Sequence, residues 1–119
     1  MLFTHTIKKQ GQIHIIHMEG DLIEASQADK LMQEVDDIIL NNNNHFVIDM
    51  GAIKYLNSSG LTILIRILTK ARKAGGEAVI AAVAKRIKEL LVITKLHTVF
   101  TVADTLEDGV SKLNKRVSN

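Results

Sequence analysis

The stretch Phe46-Val47-Ile48-Asp49-Met50, followed after a short interval by Leu56-Asn57-Ser58-Ser59-Gly60-Leu61, decides the fold of this chain. Its first half reads as a strand whose opening residues Phe46-Val47-Ile48 are fully apolar, as expected of a strand buried on both faces. Its second half opens a helix. Leu61, Leu64, Ile65, Leu68 and Ala71 then fall on one stripe, while Thr62, Arg66, Thr69, Lys70 and Lys73 fall on the other face. Cations gather at the far end and Gly75-Gly76 stops the helix, as the macrodipole and C-cap rules favour.

Working outward, Thr4 to Lys8 and Ile13 to Met18 read as a hairpin around the turn Lys9-Gln10-Gly11-Gln12. Ser26-Gln27-Ala28-Asp29 is a capping pattern ahead of a helix over Ser26 to Leu40, with Ala28, Leu31, Met32, Val35, Ile38 and Ile39 at helical spacing. Asn41 to Asn44 ends it. After the central helix, Glu77-Ala78-Val79-Ile80-Ala81 reads as a buried strand, and Ile87, Leu90, Leu91 and Ile93 suggest a third helix. Thr98 to Val102 reads as a short strand, and Thr105-Leu106-Glu107-Asp108 caps a last helix carrying Leu106, Val110 and Leu113. The order ββαβαβαβα predicts an α/β fold: one domain over residues 1–119, with a mixed sheet of four or five strands and about four helices.

At 119 residues the chain is long enough to bury a core without disulfide or metal. Cysteine is absent, which excludes a disulfide framework, a thiolate nucleophile and cysteine-ligated zinc. Fifteen Lys and Arg against thirteen Asp and Glu leave a net charge of +2, and aromatics are only 3% of residues. A nucleic-acid reader would concentrate its basic residues and supply stacking rings, so a protein partner is expected instead. No apolar run approaches the roughly 20 residues of a spanning helix, and no export signal is evident, so no membrane association and a cytoplasmic location are expected.

The serines of Asn57-Ser58-Ser59-Gly60-Leu61 admit two readings. Asn57 or Ser58 could cap the helix through a side-chain oxygen. Alternatively, the unpaired N–H groups and partial positive charge of a helix start would accept an added phosphate. Gly60, lacking a side chain, lets another backbone approach closely, which suits docking and internal packing equally. Asp21 and Asp49 both fall near expected strand ends, where either would disfavour added negative charge at the serine loop. Ile63 lies between the polar and buried faces of the helix, close to Ser59, Arg66 and Lys70, an apolar spot that would suit a partner.

Catalytic and metal motifs are not found. A nucleophile elbow needs G-x-S-x-G, whereas Ser58 is flanked by Asn57, Ser59 and Gly60. His14 and His17 are three apart on a strand and so point to opposite faces, and His5, His45 and His97 form no ligand pair; all five read as surface or hairpin-pairing residues. Neither nucleotide-loop pattern occurs. The expectation is a protein that is not an enzyme and carries no cofactor or metal.

Val47-Ile48-Asp49-Met50, Ile53, Leu56-Asn57-Ser58-Ser59-Gly60-Leu61, Ala71-Arg72-Lys73-Ala74-Gly75-Gly76-Glu77 and Leu96-His97-Thr98-Val99-Phe100 together resemble a STAS domain, the fold of bacterial anti-sigma factor antagonists. Gly20 and Leu106-Glu107-Asp108 extend the likeness over nearly the whole chain. In regulatory members the motif is D-S-S-G-L, and its first serine, Ser58 here, is phosphorylated by an anti-sigma factor serine kinase of the histidine-kinase-like ATPase fold. The resemblance implies that the unphosphorylated protein binds this kinase and frees a sigma factor, that phosphorylation ends the complex, and that a phosphatase is an optional third partner. Asp21, Asn57, Ser59, Gly60, Thr62, Ile63 and Arg66 are the expected partner-binding residues. Three positions depart from the pattern: Asn57 replaces the motif's aspartate, Ile23 replaces the last residue of G-E-L-D, and Lys95 replaces the glycine of a later T-G-L. The alternative implied by the same fold is a STAS adaptor that is not phosphorylated, in a lipid ABC transport or stressosome-like assembly.

Overall fold

The computed structural model describes residues 2–118. The elements run β1 (Thr4–Gln10), β2 (Ile13–Leu22), a 3₁₀ turn (Ala25–Ala28), α1 (Asp29–Leu40), β3 (His45–Leu56), α2 (Ser58–Lys73), β4 (Glu77–Ala81), α3 (Lys85–Ile93), a second 3₁₀ turn (Leu96–Thr98), β5 (Thr101–Ala103) and α4 (Leu106–Ser118). The five strands form one sheet in sequence order, with β1 antiparallel to β2 and every later pair parallel. Each crossover therefore steps one strand in the same direction. Right-handed crossovers that advance the same way place their helices on the same face. Accordingly α1, α2 and α3 share one core with Ile16, Met18, Phe46, Ile48, Ala78 and Ile80. The alternate residues Ile13, Ile15, Val47, Val79 and Ala81 face the other way and meet Val110 and Leu113 of α4. The central strands are apolar on both sides because both sides are covered.

Several details differ from the sequence expectations, among them the end of β2, which runs on from Met18 to Leu22. The capping box lies ahead of α1, at the 3₁₀ turn, and uses Glu24 and Gln27 rather than Ser26: the Gln27 carboxamide oxygen accepts from the backbone N–H groups of Ile23 (2.9 Å) and Glu24 (3.0 Å), while α1 itself follows Ala28 without a side-chain cap. β3 continues six residues past Met50, to Leu56. The fifth strand is shorter and later than Thr98 to Val102, since Leu96–Thr98 is a 3₁₀ turn and only Val79, Ile80 and Ala81 offer β5 a partner. His14 is buried (8% exposed), covered on a face that a free hairpin would have left open.

α2 ends in a Schellman motif. Gly76 N–H donates to Ala71 O (2.8 Å) and Gly75 N–H to Arg72 O (3.0 Å), with Gly75 left-handed at φ +86°. Glu77, which follows, is buried and accepts from Arg72 Nε at 3.0 Å, while Arg72 Nη2 donates to Val99 O at 3.0 Å. The run from Ala71 to Glu77 thus stops α2 and ties it to β4 and to the segment before β5.

Candidate functional site

The parallel pairing of β2 and β3 brings Asp21 beside Tyr55 and Leu22 beside Leu56. Both chains leave the sheet at its carboxyl end, where ligand crevices form in open parallel sheets. Ile23 consequently lies against Asn57.

Asn57 joins the two. Its side-chain oxygen accepts from Gly60 N–H (3.1 Å), and its side-chain nitrogen donates to Ile23 O (2.9 Å). A backbone N–H on one side and a carbonyl on the other fix which way the amide faces. Ile23 is held at both ends, its N–H by Gln27 and its carbonyl by Asn57. An aspartate at position 57 could cap the helix but could not donate to Ile23 O.

With Asn57 as the cap, the capping alternative for Ser58 falls away. Ser58 is the first residue of α2 and is exposed. Among the described residues no hydrogen bond engages its hydroxyl, whereas its carbonyl accepts from Thr62 Oγ1 (3.0 Å). None of the first-turn residues of α2 is acidic, so the helix's own side chains do not offset its positive end. Ser59 is half-buried; Thr62 and Arg66 are exposed on the same helix.

Two expected docking residues are corrected. Ile63 is fully buried, because α2 packs against the 3₁₀ turn and α1 as well as the sheet and so buries a wider sector than a single stripe. Ile65, expected in the stripe, is only half-buried. Gly60 is buried too, and its role is internal: an added Cβ would strike Leu56 Cδ1 and lie 2.6 Å from Leu22 O. The missing side chain is what lets α2 start so close to the end of β2. Asp21 sits half-buried on β2 opposite Tyr55. Asp49 is placed well away from the serine loop, since β3 runs on to Leu56; its carboxylate accepts from Gly51 N–H (3.0 Å) and pairs with His17 Nδ1 at 2.7 Å.

The carbonyls of Leu22 and Ile23 are parts of the site that the residue pattern could not reveal, because only the β2–β3 register places them there. Among the described residues no group of three or more His, Asp or Glu is arranged to hold a metal ion, and no helix is long and apolar enough to cross a membrane.

What emerges is an α/β domain whose exposed serine, next to a capping asparagine, stands at the carboxyl end of a parallel strand pair. The chain belongs to the STAS domain family, whose model matches residues 5–109. It is 24% identical over 102 residues to BtrV of Bordetella bronchiseptica, provisionally named an anti-sigma factor antagonist, covering 86% of this chain and 87% of that one. Its fold superposes on a provisionally assigned anti-sigma factor antagonist of Thermotoga maritima with a TM-score of 0.82 at 16% identity, over 92% of this chain and 94% of that one. It also superposes on the phosphorylated form of the Bacillus cell fate determinant SpoIIAA with a TM-score of 0.73 at 10% identity, over 92% and 98% of the two chains.

Proposed function

We propose that this protein is an anti-sigma factor antagonist: a binding module for an anti-sigma serine kinase of the histidine-kinase-like ATPase fold, switched off when that kinase phosphorylates Ser58. The observation that carries the reading is the division of labour at the start of α2. Asn57 does the capping, Gly60 does the packing, and the Ser58 hydroxyl is exposed and unused. A phosphoserine adds roughly −1.5 to −2 charges. At the first turn of α2 that charge is tolerated by the macrodipole, while a close partner surface would have to desolvate it. Release then needs no refolding of the module. Ser59, Thr62, Arg66, Asn57 and Asp21 are the nearby candidates for partner contact.

BtrV's name and the existence of a phosphorylated SpoIIAA form support this reading. Incubated with its kinase and ATP, the protein gains the mass of one phosphate, and Ser58→Ala abolishes the gain. Modification at another residue, or none, overturns the assignment.

A second reading, an adaptor in a transport or stressosome-like assembly that is never phosphorylated, draws on Asn57. Its amide has exchanged an acidic neighbour of Ser58 for an internal bond to Ile23 O. Co-purification with an ABC ATPase, indifferent to Ser58→Ala and Ser58→Asp, would mark that outcome.

A further inference from the structure

Large apolar side chains left exposed are few, and three of them surround α3. Tyr55 is 57% exposed, Val92 56% and Ile93 78%. Tyr55 and Ile93 border a groove of about 370 Å³ between the end of β3 and α3, whose lining also includes Leu56, Ile87, Leu90 and Arg86. Its floor is apolar and its rim is mainly cationic. Lys54 and Arg86 line it against the single carboxylate of Glu89, and the next groove of the same helix is lined by Lys85 and Lys88 as well as Ile93. Arg86 is fixed in place, with its guanidinium 5.3 Å from the Tyr55 ring centre and Nη2 donating to Lys54 O at 3.1 Å. The groove residues Tyr55 and Leu56 run directly into Asn57-Ser58 of the serine site, where Asn57 also holds Ile23, 45% exposed.

Exposed Ile and Tyr side chains rimmed by cations, one of them the anchored Arg86, fit a partner that offers apolar anchors flanked by carboxylates. We propose that this groove is a second docking site for the anti-sigma kinase, receiving an amphipathic segment of the kinase that presents apolar side chains with acidic neighbours. The proposal rests on the switch reading above and adds to it a contact that phosphorylation of Ser58 does not touch chemically. Ser58 supplies the on and off states, and the α3 groove supplies affinity and partner choice.

The test is a titration of the purified kinase with wild-type protein, Ile93→Glu, Lys85→Glu and, as a distant exposed control, Leu40→Glu. Circular dichroism and Tm first establish that each variant is folded, as the exposure of these positions leads one to expect. Ile93→Glu weakens binding by about tenfold or more, as expected for losing a buried apolar anchor and opposing a carboxylate with another. Lys85→Glu weakens it less, and the wild-type affinity falls as salt rises. Leu40→Glu leaves it unchanged. Wild-type binding and Ser58 phosphorylation with an unaltered Ile93→Glu affinity overturn the groove and leave the switch standing. No Ser58 phosphate on the wild type overturns both. Sedimentation with phosphatidylglycerol vesicles that Ile93→Glu abolishes, at unchanged kinase affinity, overturns the proposal in favour of a lipid surface.

Discussion

Replacing Asn57 separates the two bonds that hold the serine site together. Asn57→Ala removes the cap on Gly60 N–H and the donor to Ile23 O at once. Loss of an N-cap costs about 1 kcal/mol. Loss of a partly solvated hydrogen bond adds about 0.5–1 kcal/mol, for a sum of roughly 1.5–2 kcal/mol. Asn57→Asp behaves differently. The carboxylate keeps the acceptor for Gly60 and gains about 0.3–1 kcal/mol from the helix N-terminus, while only the Ile23 bond is forfeited. Urea unfolding should therefore rank the wild type and the aspartate variant within about 1 kcal/mol of each other and place the alanine variant below both, with the m-value unchanged. The aspartate variant should lose part of its advantage over alanine as salt rises. Amide exchange at Gly60 offers a local readout: about tenfold faster in Asn57→Ala and near wild type in Asn57→Asp, since a tenfold change corresponds to about 1.4 kcal/mol. An alanine variant as stable as wild type, or an aspartate variant as unstable as alanine, would refute the assignment of Asn57 as cap.

Other consequences follow from particular contacts. Gly60→Ala forces α2 away from Leu22 O and should destabilise by about 1–3 kcal/mol despite the better helix propensity of alanine; a stabilised variant would contradict the close approach. Lys95 is left-handed at φ +63°, where an L side chain is strained, so Lys95→Gly should stabilise by about 0.5–1 kcal/mol in the same assay. Burial and the charge of Lys9 hold the His14 pKa below the usual histidine value. The unfolded chain then binds the proton more readily, so the contribution is complete above about pH 6.5 and lost as pH falls through the folded pKa. Among the described residues, buried His14 Nδ1 has no hydrogen-bond partner. His14→Leu should consequently raise Tm more at pH 5.5 than at pH 7.5, and an equal change at both would speak against a titrating His14.

The parts of the fold legible in the sequence are those where local chemistry and tertiary packing agree. Thr105 caps α4 as its spacing predicts, its hydroxyl accepting from Asp108 N–H at 3.1 Å. Asn42 turns left-handed after α1, at φ +67°, within the asparagine run expected to end that helix. The end of β3 was not legible because β4 stops opposite Asp49, leaving residues 50–56 paired only with β2. A strand covered on one edge tolerates Gly51, Lys54 and Tyr55, which break the apolar run.

The cap of the 3₁₀ turn ahead of α1 is hidden from the sequence for a similar reason. Ser26 satisfies the local rule, yet Gln27 reaches two backbone N–H groups that the sequence does not show to be close. A helical wheel assumes one buried direction and α2 has more than one, which is why Ile63 is buried instead of lying at the boundary. At the serine motif the residue types were readable, but the choice between cap and modifiable hydroxyl depended on the Ile23 carbonyl, a contact across 34 residues.

The most direct test of the account is calorimetric titration of the anti-sigma kinase with this protein before and after quantitative phosphorylation at Ser58. Tight binding of the unmodified protein, lost on phosphorylation while circular dichroism and Tm report an intact fold, is the predicted result. Equal affinity of the two forms, or a phosphate that unfolds the domain, would contradict a switch built on the exposed hydroxyl at the start of α2.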